Sequence, residues 1–125
     1  MLAFVIFVGA GIGGVARYAV STWIQSGAGA FPRGTLVVNA TGCLLLTFVY
    51  GLLEGSATAA EWRAFLGVGV LGGYTTFSTF TYEAIRLLQD GDWKLALAYI
   101  GSSVIVSLVA AITGFRLAAG LLHRG

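Results

Sequence analysis

Gly67-Val68-Gly69-Val70-Leu71-Gly72-Gly73-Tyr74-Thr75-Thr76-Phe77-Ser78-Thr79-Phe80-Thr81-Tyr82 lies inside an uncharged run, 64–82, and makes a poor continuous helix. Two adjacent glycines and five Thr or Ser residues fall near the centre of a segment long enough to cross a bilayer. Gly in a helix interior costs about 1 kcal/mol relative to Ala. A break at mid-membrane also exposes carbonyls that protein, water or an ion must satisfy. The stretch therefore reads as a transmembrane helix broken near its middle. The competing reading is a Gly-lined crossing point whose hydroxyls bond back to their own helix.

Outward from this run, three more uncharged stretches cover 2–16, 34–53 and 95–115. Each is near the roughly 20 residues that a helix needs to span hydrocarbon. The 125-residue chain is 58% hydrophobic and 10% charged, with a mean hydropathy of +0.90, so it has too few polar side chains to cover a water-soluble globule. A β-barrel would alternate polar and apolar residues, whereas Leu44-Leu45-Leu46 and Val104-Ile105-Val106 are continuously apolar. The fold class expected is an all-α membrane protein with four transmembrane helices, approximately 2–24, 34–53, 64–82 and 95–115, in one domain covering 1–125. Connections at 25–33, 54–63 and 83–94 carry turn-forming or charged residues such as Gly27, Pro32, Gly55 and Asp90-Gly91-Asp92. The first apolar run has no basic residue ahead of it and no small-residue cleavage site behind it, so it is expected to be retained.

Composition also excludes several classes of function. The only cysteine, Cys43, lies inside an apolar run and reads as packing. Seven basic and five acidic residues are scattered without a basic cluster, which gives no support for nucleic-acid binding. No span pairs a nucleophile with a base, and the only histidine, His123, is in the terminal tail, so the chain does not read as an enzyme. Arg63, Arg116 and Arg124 fall on the side of the termini and Arg33, Arg86 and Lys94 on the other, with Arg17 inside the first span. The positive-inside rule then sets no direction. Either other features fix the orientation, or both orientations insert and pair.

Within the spans, polar residues fall in register. Gly9-Ala10-Gly11-Ile12-Gly13 carries the small-xxx-small spacing of a close helix contact. Thr35, Asn39 and Cys43 follow at i+4 steps on one face of the second span, and Phe77 and Phe80 share a face of the third. Tyr99, Ser103 and Ser107 form a hydroxyl stripe on the fourth, with Ser102 off it. Asn39 reads either as interhelical glue or as a donor to something that crosses the membrane. Glu83 is the one carboxylate close enough to these stripes to matter; Glu54, Glu61, Asp90 and Asp92 read as solvated.

Together these residues resemble the small bacterial fluoride channels of the CrcB/Fluc family. The likeness spans nearly the full chain. It rests on Gly9-Ala10-Gly11-Ile12-Gly13-Gly14-Val15-Ala16-Arg17-Tyr18, on Gly34-Thr35-Leu36-Val37-Val38-Asn39-Ala40-Thr41-Gly42, and above all on the block from Gly72 to Phe80. The resemblance implies a multi-pass protein of the bacterial cytoplasmic (inner) membrane, built as an antiparallel, dual-topology homodimer with two fluoride pathways. It implies that Asn39 and the ring edges of Phe77 and Phe80 contact fluoride. Tyr99, Ser103 and Ser107 would be the matching polar track, and Thr35, Ser78 and Thr79 further members. By the same likeness, the backbone carbonyls of Gly72 and Thr75 from both subunits would hold a structural sodium ion, not transported, on the dimer axis. Arg17 would stand at the aqueous vestibule. The rival is a small multidrug-type dual-topology transporter, which would need a carboxylate that the first span lacks. A subunit serving only assembly or lipid packing would leave the aligned Asn, Phe and Ser residues unexplained.

Overall fold

The computed structural model describes residues 1–27 and 29–123, all of them helix or connection. Arg124, counted above on the side of the termini, lies outside the described residues. Helices α1 (Leu2–Gln25), α2 (Arg33–Leu52) and α6 (Trp93–Leu122) are long and apolar enough to cross a membrane. Between α2 and α6 the chain crosses in pieces. A short α3 (Ala59–Trp62) runs into a π-helical segment (Arg63–Leu71), then α4 (Gly72–Tyr74), a two-residue break, and α5 (Phe77–Gln89).

Packing is inverted relative to a water-soluble protein. The fully buried side chains are few, Tyr99 and Val38 being the largest, whereas Phe4, Phe7, Val15 and Trp23 on α1 stand outward. Large apolar residues on the outside suit lipid, and small ones inside let backbones approach. A Cβ on Gly13 would overlap the Val70 carbonyl oxygen, and Gly9 lies with its Cα against Gly69, so the glycines of α1 seat the π-helical segment. On the other side α2 meets α6, where a Cβ on Gly114 would overlap the Leu44 carbonyl and Thr47 Oγ1. There Thr47 Oγ1 donates to the Ala111 carbonyl at 2.8 Å. The α1–α2 turn is tied by one amide: Gly34 N–H donates to Gln25 Oε1 at 3.2 Å, and Gln25 Nε2 donates to the Phe31 carbonyl at 3.3 Å.

The break sits at Thr75 and Thr76, not at the glycines. Gly72 and Gly73 stay helical, and their lack of a side chain serves packing, since Gly73 lies against the Ala10 backbone. Thr75 (φ −77°, ψ 158°) and Thr76 (φ −152°, ψ 116°) are extended. Thr76 then caps α5, its Oγ1 accepting from Thr79 N–H at 3.2 Å. The residues 83–89, read from sequence as part of a connection, continue α5, and this brings Glu83 onto a helix face.

Candidate functional site

Asn39 holds the break open. Its Nδ2 donates to the Thr76 carbonyl at 2.9 Å, and Thr76 N–H donates to its Oδ1 at 2.8 Å, so one side chain replaces a strand neighbour. In a continuous helix Thr76 N–H would bond to the Gly72 carbonyl. Diverted to Asn39, it leaves that carbonyl without its helical donor. The Thr75 carbonyl instead accepts from Arg17 Nη1 at 3.4 Å.

Beside this clamp lies a cavity of about 270 Å³. Asn39 and Cys43 of α2 form one wall, Ser103, Val104 and Ser107 of α6 another, and Thr75, Thr76, Phe77 and Phe80 the third. Phe77 and Phe80 meet with centroids 5.6 Å apart and planes at 49°, and Phe77 is 80% exposed. Ser103 is buried, and its Oγ has no hydrogen-bond partner among the described residues. A buried hydroxyl without a partner is rare, and this one lies within the chamber wall. Asn39 has spent one amide hydrogen on Thr76 and keeps a second.

The residues expected from sequence divide between two places. Asn39, Phe77, Phe80, Ser103 and Ser107 share the cavity. Tyr99 and Thr35 do not line it; they converge on Glu83. Thr35 Oγ1 donates to Glu83 Oε1 at 2.9 Å and Tyr99 O–H donates to Oε2 at 2.6 Å. The Tyr99 ring is locked between Phe31, edge-on at 5.5 Å, and Phe80 at 5.3 Å, so it links the Glu83 cluster to the aromatic wall. Thr35 and Thr79 line a second cavity of about 260 Å³ with Arg17, Ser21 and Thr76. Ser78 is exposed and shares a 3.3 Å hydrogen bond with Thr76 Oγ1.

Sequence reading underweighted two residues. Cys43, read as packing, is half-buried on the cavity wall, one turn beyond Asn39. Glu83 is the hub of a three-helix hydrogen-bond cluster. The signal for Glu83 was the i+4 step from Thr79, legible only once α5 is carried past Tyr82.

Fold and cavity define a small multi-span membrane protein whose third crossing is interrupted to build a polar and aromatic chamber. Residues 4–115 match the family described as CrcB-like protein, Camphor Resistance (CrcB). The chain is 43% identical over 115 residues to the fluoride-specific ion channel FluC of Thermus thermophilus, covering 91% of each chain. It is 46% identical over 117 residues to the protein of that name in Rhizobium meliloti, covering 90% of this chain and 94% of that one. To the FluC of Pyrococcus abyssi it is 42% identical over 114 residues, covering 90% of this chain and 92% of that one. The chain belongs to the CrcB family.

Proposed function

We propose that this protein is a fluoride channel, not an enzyme, that lets cytoplasmic fluoride leave passively and so confers fluoride resistance. The observation that carries the reading is the chamber lined by Asn39, Ser103, Ser107, Phe77 and Phe80, with the Ser103 hydroxyl buried and unpartnered in its wall and one Asn39 amide hydrogen unspent. Fluoride is small and strongly hydrated, and a bare ion in low dielectric costs tens of kcal/mol in the Born limit. Convergent hydroxyl and amide hydrogens substitute for its water. Ring edges carry the positive end of the aromatic quadrupole and can face an anion. Neutral donors also hold the ion weakly enough for it to leave again. Weakly acidic HF would enter from acidic surroundings, ionise in the cytoplasm and exit as the anion.

The functional unit in this reading is an antiparallel dual-topology homodimer in the bacterial cytoplasmic membrane. The even distribution of basic residues and the 80% exposure of Phe77, a pathway residue left open on one side, support it. A structural sodium ion fits the donor set. The Gly72 carbonyl has lost its helical donor to Asn39, the Thr75 carbonyl has left the helical ladder, and carbonyl oxygens suit a hard cation. Arg17 occupies one lone pair of the Thr75 oxygen and leaves another. Bound there by both subunits, sodium would add positive field near the anion path without moving.

Glu83 gives the multidrug-type alternative one specific foothold, because a proton-coupled carrier works through a carboxylate inside the membrane. Efflux from liposomes separates the two. With sodium present, the purified protein should pass fluoride and not chloride, carrying net charge and needing no proton gradient. No fluoride flux, or flux coupled to protons, would sink the channel reading.

A further inference from the structure

Arg116 is the one basic side chain without a partner among the described residues. Arg17 donates to the Thr75 carbonyl, Arg63 lies over the Tyr50 ring, Arg86 pairs with Asp90, Lys94 lies over the Trp93 ring, and Arg33 is engaged as well. Neither α2 nor α6 carries a side-chain carboxylate that could answer it. Its depth sharpens the need. The uncharged run 95–115 rises about 32 Å along α6, close to the roughly 30 Å of a hydrocarbon core. Beyond Arg116 the helix stays apolar through Leu117-Ala118-Ala119-Gly120-Leu121-Leu122. The charge therefore falls at the boundary between acyl chains and headgroups with apolar helix on both sides of it, where an ionised group needs a counter-charge.

The same residue borders a space larger than an ion needs. Arg116 lines a cavity of about 440 Å³ with Phe48 of α2 and Leu117, Gly120 and Leu121 of α6, and is its only charged residue. Leu117 and Leu121 are each more than half exposed, and a Cβ on Gly120 would meet nothing within 4 Å, so the chain itself does not fill this groove. One cation beside a strip of apolar surface matches a ligand with an anionic head and a hydrocarbon tail. We propose that the groove between α2 and α6 is a binding site for an anionic phospholipid of the phosphatidylglycerol class. Its phosphate diester pairs with Arg116, and the upper part of an acyl chain lies against Phe48, Leu117 and Leu121. A guanidinium meets phosphate through two parallel N–H···O bonds and is weakly hydrated, which suits it to this depth. Phosphatidylcholine brings its own ammonium, a like charge beside Arg116. Free phosphate has the charge but nothing for the apolar strip. The assignment stands apart from the channel reading, because Arg116 lines neither the aromatic chamber nor the cavity beside Arg17.

The test reconstitutes the full-length protein in vesicles of equal parts palmitoyl-oleoyl phosphatidylglycerol and phosphatidylcholine, extracts it in mild detergent and reads bound lipid by native mass spectrometry. Phosphatidylglycerol should be retained over phosphatidylcholine by about fivefold, the size of one basic contact at a membrane surface. Arg116→Gln should bring the ratio close to one, and Arg116→Lys should keep part of it. Gly120→Leu keeps the charge but fills the groove, and should also lower phosphatidylglycerol retention. Each variant is compared only where it elutes as the parent does on size exclusion. A photocrosslinker at Leu117 should capture lipid. A parent ratio of one, or a parent ratio that Arg116→Gln leaves unchanged, overturns the proposal. Retention unaltered by Gly120→Leu places the lipid elsewhere, and capture of a second copy by the crosslinker seats protein on the groove; either result overturns it too. Displacement of the lipid by excess soluble glycerol 3-phosphate would show a site for phosphate alone and overturn the lipid assignment.

Discussion

Asn39 carries two duties with one amide, and substitutions at this residue expose both. Asn39→Asp keeps an acceptor for Thr76 N–H but places a carboxylate oxygen against the Thr76 carbonyl, where Nδ2 now donates at 2.9 Å. Fluoride efflux should be lost, and thermal unfolding in detergent should show a stability loss of about 1–3 kcal/mol from the unsatisfied carbonyl. Glu83 is set up differently, as an acceptor for two hydroxyls. Glu83→Leu removes both oxygens and strands Thr35 and Tyr99, at about 1–3 kcal/mol for each hydroxyl. Adding Thr35→Val should then cost less than it does alone, because the Thr35 hydroxyl has already lost its acceptor. Additive losses in that double-mutant cycle would show that the cluster is not coupled as drawn.

At the scale of elements, the interruption of the third crossing depends on partners more than on its own glycines. The sequence made the weak helix legible through Gly72-Gly73 and the Thr-rich run after it, and Asn39, Phe77, Phe80, Ser103 and Ser107, marked by their spacing, line one cavity. It could not locate the break, because Thr75 and Thr76 become extended only when Asn39 from another helix takes up both backbone groups. The departure of Tyr99 from the polar stripe has the same origin. Its spacing matches Ser103 and Ser107, but a carboxylate sixteen residues earlier, on α5, captures the hydroxyl. Glycines of α1 divide cleanly by this logic. Gly13→Ala would drive a methyl into the Val70 carbonyl and should destabilise the protein by about 1–3 kcal/mol as overpacking does. Gly11→Ala meets nothing within 4 Å and should melt no lower than the parent. Equal losses in the two variants would mean that α1 does not seat the π-helical segment.

For the whole molecule, a buried apolar core made mostly of small side chains shifts the question of stability from the chain to its surroundings. Lipid, and in the proposed assembly an inverted copy, must cover the outward Phe and Trp side chains. If both orientations are needed, charge balance is a functional property. Adding two or three Lys residues to the 54–58 connection should bias insertion to one direction and reduce flux. Coexpression with a variant biased by Lys in the 90–92 turn should restore it. Unimpaired flux from a protein shown by site-directed labelling to insert one way only would exclude the antiparallel assembly. The π-helical stretch Arg63–Leu71 adds a constraint of another kind. Each residue turns a helix by roughly 80–100°, less in the wider i→i+5 π turn than in the α turn, so the number of residues before the break works as a phase setting. Deleting one of them, Val68 for instance, would turn Thr76 away from Asn39 and Phe80 away from Ser103 while leaving every one of those side chains in place. Length in this short stretch is thus a kind of information that substitution scanning cannot read and deletion scanning can.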